Sequence, residues 1–207
     1  MRVFTLLIMY SLLLLSMLYG EVTIGADVVS RYVWRGTDFG NAAAVQPSIE
    51  TTIGPVALGA WGSWSISPGP ADASGNECDL YASTTVGPVG LTLTDYFFPA
   101  YARTDSLLNV DIHVFELSAG ADVGPVSVLA AANVSGDVDD DGKSRNSAYL
   151  ELTYGAFSLG LGNGAYSTDG EFAPVSIGVS ARRDNFSASY IINPDQETSF
   201  LVFGVNF

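Results

Sequence analysis

Three aspartates at alternate positions, Asp137, Asp139 and Asp141, run into Gly142 and spell D-x-D-x-D-G, the opening half of a calcium-binding loop. Carboxylates spaced this way can converge on one hard cation, which makes calcium the one cofactor candidate in the chain. The bidentate glutamate expected at the twelfth position is Ala148, and only Glu151 or another loop could replace it. An acidic, solvated loop is the simpler account. The only histidine, His113, could serve a serine nucleophile in lipid hydrolysis, but no Ser/Asn set is recognisable around it. A histidine at the edge of a loop is the plainer reading. Gly160, Gly162 and Gly164 in GLGNGA resemble a dinucleotide loop only until the sequence beyond is read, because no helix follows. The single Cys78 excludes an intramolecular disulfide framework and a thiolate-rich metal site. No catalytic residue is expected, and the chain is read as a non-enzyme.

The remaining charged residues take their meaning from the elements that carry them. Two-residue turn signals, Gly54-Pro55, Gly87-Pro88, Gly124-Pro125, Gly155-Ala156 and Asp184-Asn185, recur at roughly 29 to 37 residues, each between β-rich runs. Between them lie polar stretches rich in Gly, Asp, Ser and Pro, at 36–43, 67–77, 99–107, 136–146, 166–173 and 193–197. Five tight turns and six long loops join twelve strands, expected at 22–35, 44–53, 56–66, 78–86, 89–98, 108–123, 126–135, 147–154, 157–165, 174–183, 186–192 and 198–207. Several show a continuously apolar side against a mixed or polar one. Val126, Val128, Ala130, Ala132 and Val134 oppose Ser127, Leu129, Ala131, Asn133 and Ser135, and Leu150, Leu152 and Tyr154 oppose Glu151 and Thr153.

Composition says which medium the apolar side meets. The 207 residues are 48% hydrophobic and only 14% charged, with a mean hydropathy of +0.29, leaving little to solvate a surface. Beyond residue 20 no apolar run approaches the ~18 residues of a spanning helix. Closing the strands into a barrel is the other way to satisfy a backbone in lipid. The expected fold is therefore all-β, a transmembrane antiparallel up-and-down β-barrel of about twelve strands over residues 21–207. A soluble sandwich of short strands is the alternative, weakened by the scarcity of Lys and Glu on the apolar sides. Residues 1–20, with Arg2 ahead of an apolar stretch to Leu18, are read as a signal peptide. The net charge of −14 argues against nucleic acid as a partner. Aromatics near the long-loop ends, Tyr32, Trp34, Trp64, Tyr96, Phe97 and Phe98, are expected to form an interfacial girdle.

In such a barrel the second face of each strand lines the lumen. Asp27, Arg31 and Arg35 share one parity of the first strand, and Glu50 lies on the inner face of its hairpin partner, so opposite charges are expected to pair across those strands. Asp79, Glu116, Asp122, Glu151 and Arg182 also face inward by parity. Acids outnumber bases, which predicts a weak preference for cations in an open pore. The alternative is a salt-bridged network that fills a narrow barrel, because an unpaired charge there would cost several kcal/mol. The three glycines of GLGNGA would leave lumen space or kink their strand.

The segments ADVVSRYVWRGTDFGNAAAVQPSIE, GAWGSWS, ECDLYAS and DYFFPAY together form a pattern that resembles the TorF family, bacterial outer-membrane barrels classed as porins and of largely unestablished function. The step Trp34-Arg35-Gly36 is its most specific part. The resemblance implies a small porin of the bacterial outer membrane that passes ions or small polar solutes, with tight turns in the periplasm and long loops outside. The last strand, TSFLVFGVNF, resembles the terminal strand that the barrel assembly machinery recognises through its final aromatic, here Phe207. Outer-membrane lipid, that machinery and small solutes are the expected partners. A non-conducting barrel whose acidic loops bind a cation or a surface partner is the other functional reading.

Overall fold

The computed structural model describes residues 20–67, 75–99 and 109–207. All but the last residue of the expected signal peptide at 1–20, and most of the loops expected at 67–77 and 99–107, lie outside the described residues. A closed barrel of twelve antiparallel strands is formed by β1 (Val22–Val29), β4 (Ala44–Ile53), β5 (Val56–Ser65), β6 (Glu77–Val86), β7 (Val89–Phe97), β8 (Val114–Val123), β9 (Val126–Ser135), β10 (Ala148–Tyr154), β11 (Phe157–Gly162), β12 (Ala173–Arg183), β13 (Phe186–Asn193) and β14 (Thr198–Asn206). Each strand pairs with its sequence neighbours, and β1 closes the ring on β14 through Asp27–Asn206, Val28–Val205 and Val29–Gly204. Two short strands, β2 (Val33–Trp34) and β3 (Thr37–Asp38), form a separate hairpin.

All five tight turns stand where the sequence signals put them. Gly54, Gly87, Gly124, Gly155 and Asp184, each the first of two turn residues, adopt φ between 54° and 61°. A side chain there crowds its own carbonyl, so glycine serves at four of the five and aspartate is among the few tolerated substitutes. Asp184→Gly is therefore expected to raise thermal stability slightly, by about 1 kcal/mol or less, measurable as the unfolding midpoint in detergent.

Alternation divides the wall into two faces. Leu58, Leu80, Leu93, Leu117, Leu201 and Phe203 are exposed on the outside. Tyr154, Phe157, Phe186 and Phe207 add exposed rings at the tight-turn end. The buried residues gather inside, at the long-loop end, around Ala131, Tyr149, Tyr166 and Val175, with Trp34 and Ala173 against them. β-bulges between Phe115 and Glu116 and between Gly160 and Leu161 bend the wall at this same end.

Three expectations need correction. The first strand ends at Val29, not near residue 35, and the chain from Ser30 to Ala43 turns into the barrel. The strand expected from residue 108 begins at Val114, after a 3-10 turn at Val110–Ile112. Of the expected girdle, Trp64 is exposed outside, but Tyr32, Trp34 and Tyr96 are drawn inward, with Tyr32 packed at a tilt on Trp61 and Trp34 at a steep angle on Tyr96 and Tyr166. Tyr96 has even parity on a strand whose odd residues face out. Tyr32 and Trp34 left the wall when β1 ended.

Candidate functional site

The site grows from the turn between β2 and β3. Trp34 pairs with Thr37 and Val33 with Asp38, leaving Arg35 and Gly36 as a two-residue turn in which both adopt positive φ, 50° and 81°. That geometry drives the hairpin tip across the lumen. Gly36 packs against the backbone carbonyl of Val175 on β12, and its own carbonyl accepts a 3.2 Å hydrogen bond from Asn193 Nδ2 at the end of β13. An arginine with left-handed φ is strained by about 1 kcal/mol or more, and the contacts of its side chain hold it there.

The Arg35 guanidinium makes a two-pronged ion pair with Glu116 of β8, Nη1 to Oε2 and Nη2 to Oε1, the second at 2.9 Å. It also donates to the Tyr166 hydroxyl, which donates in turn to Glu116 Oε2 at 3.0 Å; Tyr96 donates to Glu116 Oε1 at 3.2 Å. Three rings surround the cation, with its central carbon 4.3 Å from the centre of Trp34, 4.4 Å from Tyr149 and 5.1 Å from Tyr166. The side chains of Arg35 and Glu116 are 7% and 2% exposed. Burial opposes the charge of Arg35, but the hydrogen bond to Glu116 and the neighbouring acidic groups together outweigh it and hold its pKa above the ordinary arginine value.

A second tether lies one turn of chain earlier. Tyr32 donates to Glu77 Oε2 at 2.6 Å and rests 5.6 Å from the ring centre of Trp61 on β5. Arg31 stays at the rim with Asp38 at 2.8 Å and with Asn41, a half-exposed pair of small energetic weight.

This hairpin divides the lumen. One cavity of about 500 Å³, lined by Trp34, Trp61, Tyr81, Tyr96, Glu77 and Asp79 among others, runs from Arg31 and Glu77 at the long-loop end toward Thr92. At the long-loop end a second, of about 340 Å³, is lined by Trp34, Phe39, Tyr96, Phe98, Asp137 and Tyr166, among others. Trp34, which packs on Arg35, and Tyr96, which donates to Glu116, border both and stand between them.

The structure brings together only some of the lumen charges picked out by parity. Arg35 and Glu116 meet across the barrel, rather than Arg31 and Arg35 meeting Glu50, because the first strand has already ended and no ladder sets their register. Glu50 accepts from the Tyr81 hydroxyl at 2.9 Å, and Glu151 accepts from Tyr149 at 2.8 Å. Asp27 sits at the closing seam, accepting from Asn206 Nδ2 at 2.7 Å. Asp122 accepts from Ser127 near a tight turn, and Arg182 is exposed at that same end, without an ion pair among the described residues. Asp79 lines the larger cavity.

Glu77 was missed because the strand was expected to begin at 78; the same parity that selects Asp79 selects it. Tyr149 and Tyr166 were missed as well. Their signal is the glycine run, since a Cβ on Gly160 would fall 2.2 Å from the Tyr149 hydroxyl and one on Gly162 would fall 2.7 Å from Tyr166 Cβ. These glycines do leave space, and tyrosines fill it.

In the acidic loop the three aspartates do separate things. Asp137 Oδ2 accepts from the Ser147 N–H at 2.9 Å, Asp139 Oδ1 accepts from the N–H groups of Asp141 and Lys143, and Asp141 is exposed beside Lys143. Among the described residues no three carboxylate, histidine or thiol groups are assembled for a metal. His113 lies at the long-loop end on the outward parity, with Nδ1 2.6 Å from Asp95 and its ring stacked 4.9 Å from Phe97. Its Nε2 is buried without a hydrogen-bond partner among the described residues.

No curated protein and no solved structure matches the chain. A family model does match, over residues 19–191, and the chain belongs to that family, the bacterial proteins of unknown function called Gcw_chp.

Proposed function

We propose that this chain is a bacterial outer-membrane barrel whose lumen passes ions and small polar solutes and is held shut at its long-loop end by the folded-in β2–β3 hairpin. The observation that carries the reading is the Arg35–Glu116 clasp, whose partners Trp34 and Tyr96 stand between two lumen cavities. A closed ring of strands with leucines and aromatics exposed on its outer wall suits lipid, where every backbone group must pair internally. The apolar segment at residues 1–20 supports export, and the resemblance to the TorF porins supports the same membrane and the same kind of passage. The tight turns and both termini would then lie in the periplasm. Neither a metal nor a catalytic group is required.

Single-channel recording of the refolded mature chain in a planar bilayer tests the proposal. The wild type is expected to show brief, small, cation-selective openings, because the lumen acids Glu77, Asp79 and Glu50 face no charged partner there while Glu116 neutralises Arg35. A variant with residues 32–39 replaced by a short Gly/Ser linker, combined with Glu116→Gln so that no buried carboxylate loses its partner, is expected to conduct persistently. Silence from both, with the folded barrel verified by its heat-modifiable gel mobility, would exclude a passage and return attention to the acidic loops.

The same reading makes Phe207 an assembly signal. The residue is 74% exposed, and its N–H donates to the Ala26 carbonyl at 2.9 Å. Phe207→Ala is expected to slow barrel assembly in cells while leaving refolding from urea into detergent nearly unchanged; equal loss in both would make the ring a stability element instead.

A further inference from the structure

Glu77 and Asp79 lie two residues apart on β6, beginning at its long-loop end, and so face the same cavity. They are 1% and 6% exposed and lie within hydrogen-bonding reach of each other, and Glu77 Oε1 and Asp79 Oδ1 receive no other donor among the described residues. Two carboxylates side by side, shielded from water, call either for one shared proton or for a cation between them. The arginines nearby are committed elsewhere, Arg35 to Glu116 and Arg31 to Asp38. Five rings, Trp61, Tyr32, Trp34, Tyr81 and Tyr96, line much of the remaining wall, beside Gln46, threonines, valines and the Asp38-paired Arg31. Ring faces attract cations, most strongly out of water.

We propose that this chamber binds a small organic cation of the alkylammonium class, seated between the carboxylates of Glu77 and Asp79 and the rings of Trp61, Tyr32 and Tyr96. The assignment rests on reading the lumen as a solute passage and names the class of solute. A divalent metal fits less well. Hard cations take about six to eight oxygen ligands, and this wall offers two carboxylates, the Gln46 amide and threonine hydroxyls beside apolar ring surface. The cavity of about 500 Å³ suits a small molecule. Access runs from the tight-turn end, where Thr92 also borders the adjoining space lined by Thr52, Ala57 and Ser83.

Tryptophan fluorescence reads the site directly. Of the three tryptophans, Trp34 and Trp61 line the chamber and Trp64 lies outside, so a Trp64→Phe background isolates the signal. The mature chain, folded in detergent micelles, is titrated with tetramethylammonium against sodium at equal ionic strength, and separately with calcium and with uncharged tert-butanol. Saturable quenching by tetramethylammonium alone is expected, weakened by about tenfold or more in Glu77→Gln and in Asp79→Asn, because each removes one charge from a low-dielectric site. Glu77→Gln keeps an acceptor for Tyr32, and heat-modifiable mobility verifies the fold of each variant.

A response that does not saturate would overturn the assignment, as it would if the two carboxylates shared a proton in place of a ligand. Unchanged affinity in the Glu77→Gln/Asp79→Asn double variant would overturn it too, and so would calcium binding as tightly. The measurement needs no current. Binding without conductance would overturn the passage alone, and conductance without binding would overturn the cation site alone.

Discussion

Arg35→Ala is expected to destabilise the barrel by about 3–5 kcal/mol, the usual result of stripping one partner from a buried ion pair, and to convert brief openings into sustained conductance. Glu116, 2% exposed, would be left with two tyrosine hydroxyls and no counter-charge. The three rings that grip the guanidinium would lose what they pack around. Adding Glu116→Gln separates the two effects. The double variant is expected to recover most of the lost stability, since a neutral amide needs no counter-charge, while still conducting, since nothing then clasps the hairpin. Arg35→Lys is expected to close the barrel poorly, because an ammonium cannot make the two-pronged contact or lie flat among rings. The checks are thermal unfolding in detergent and bilayer recording on the same preparations. An Arg35→Ala barrel that melts and conducts like wild type would show that the clasp holds nothing.

Gly36→Ala should open the barrel without touching a charge. A Cβ at this position would fall 1.9 Å from the Val175 carbonyl oxygen, which belongs to the backbone of β12, and φ of 81° already disfavours a side chain. Neither obstacle is relieved by a rotamer change. The hairpin tip must withdraw, and it takes with it the 3.2 Å hydrogen bond from Asn193 and the alignment of Arg35 on Glu116. Conductance like that of Arg35→Ala is expected, with a stability loss of about 1–3 kcal/mol or more from strain and lost contacts. If Gly36→Ala conducts like wild type while Arg35→Ala opens, the closure depends on the charge pair and not on the seating of the turn.

The tight turns were legible because a two-residue connection between strands demands a particular backbone, and Gly-Pro or Asp-Asn announces it locally. Parity was legible for the same reason: Asp27, Glu50, Asp79, Glu116, Asp122 and Glu151 alternate with residues that β ladders hold on the outer wall. Parity failed where the ladder ended. Arg31 and Arg35 were counted along a strand that stops at Val29, and the one local hint was Arg-Gly between two short β-rich steps, weaker than Asn-Gly as a hairpin signal. Glu77 needed only a strand boundary one residue earlier.

By itself, the sequence determined the twelve strands, their order and the two faces of the wall. Each follows from spacing along the chain and from the period of two that every strand obeys. Tertiary structure alone decided that the first long connection enters the barrel, that Arg35 meets Glu116 eighty-one positions away, and that tyrosines from three segments complete the collar. Nothing local selects such a partner. It is selected by the closure of the ring, which sets β8, β10 and β12 around one enclosed space and leaves a buried carboxylate there that only a cation can satisfy.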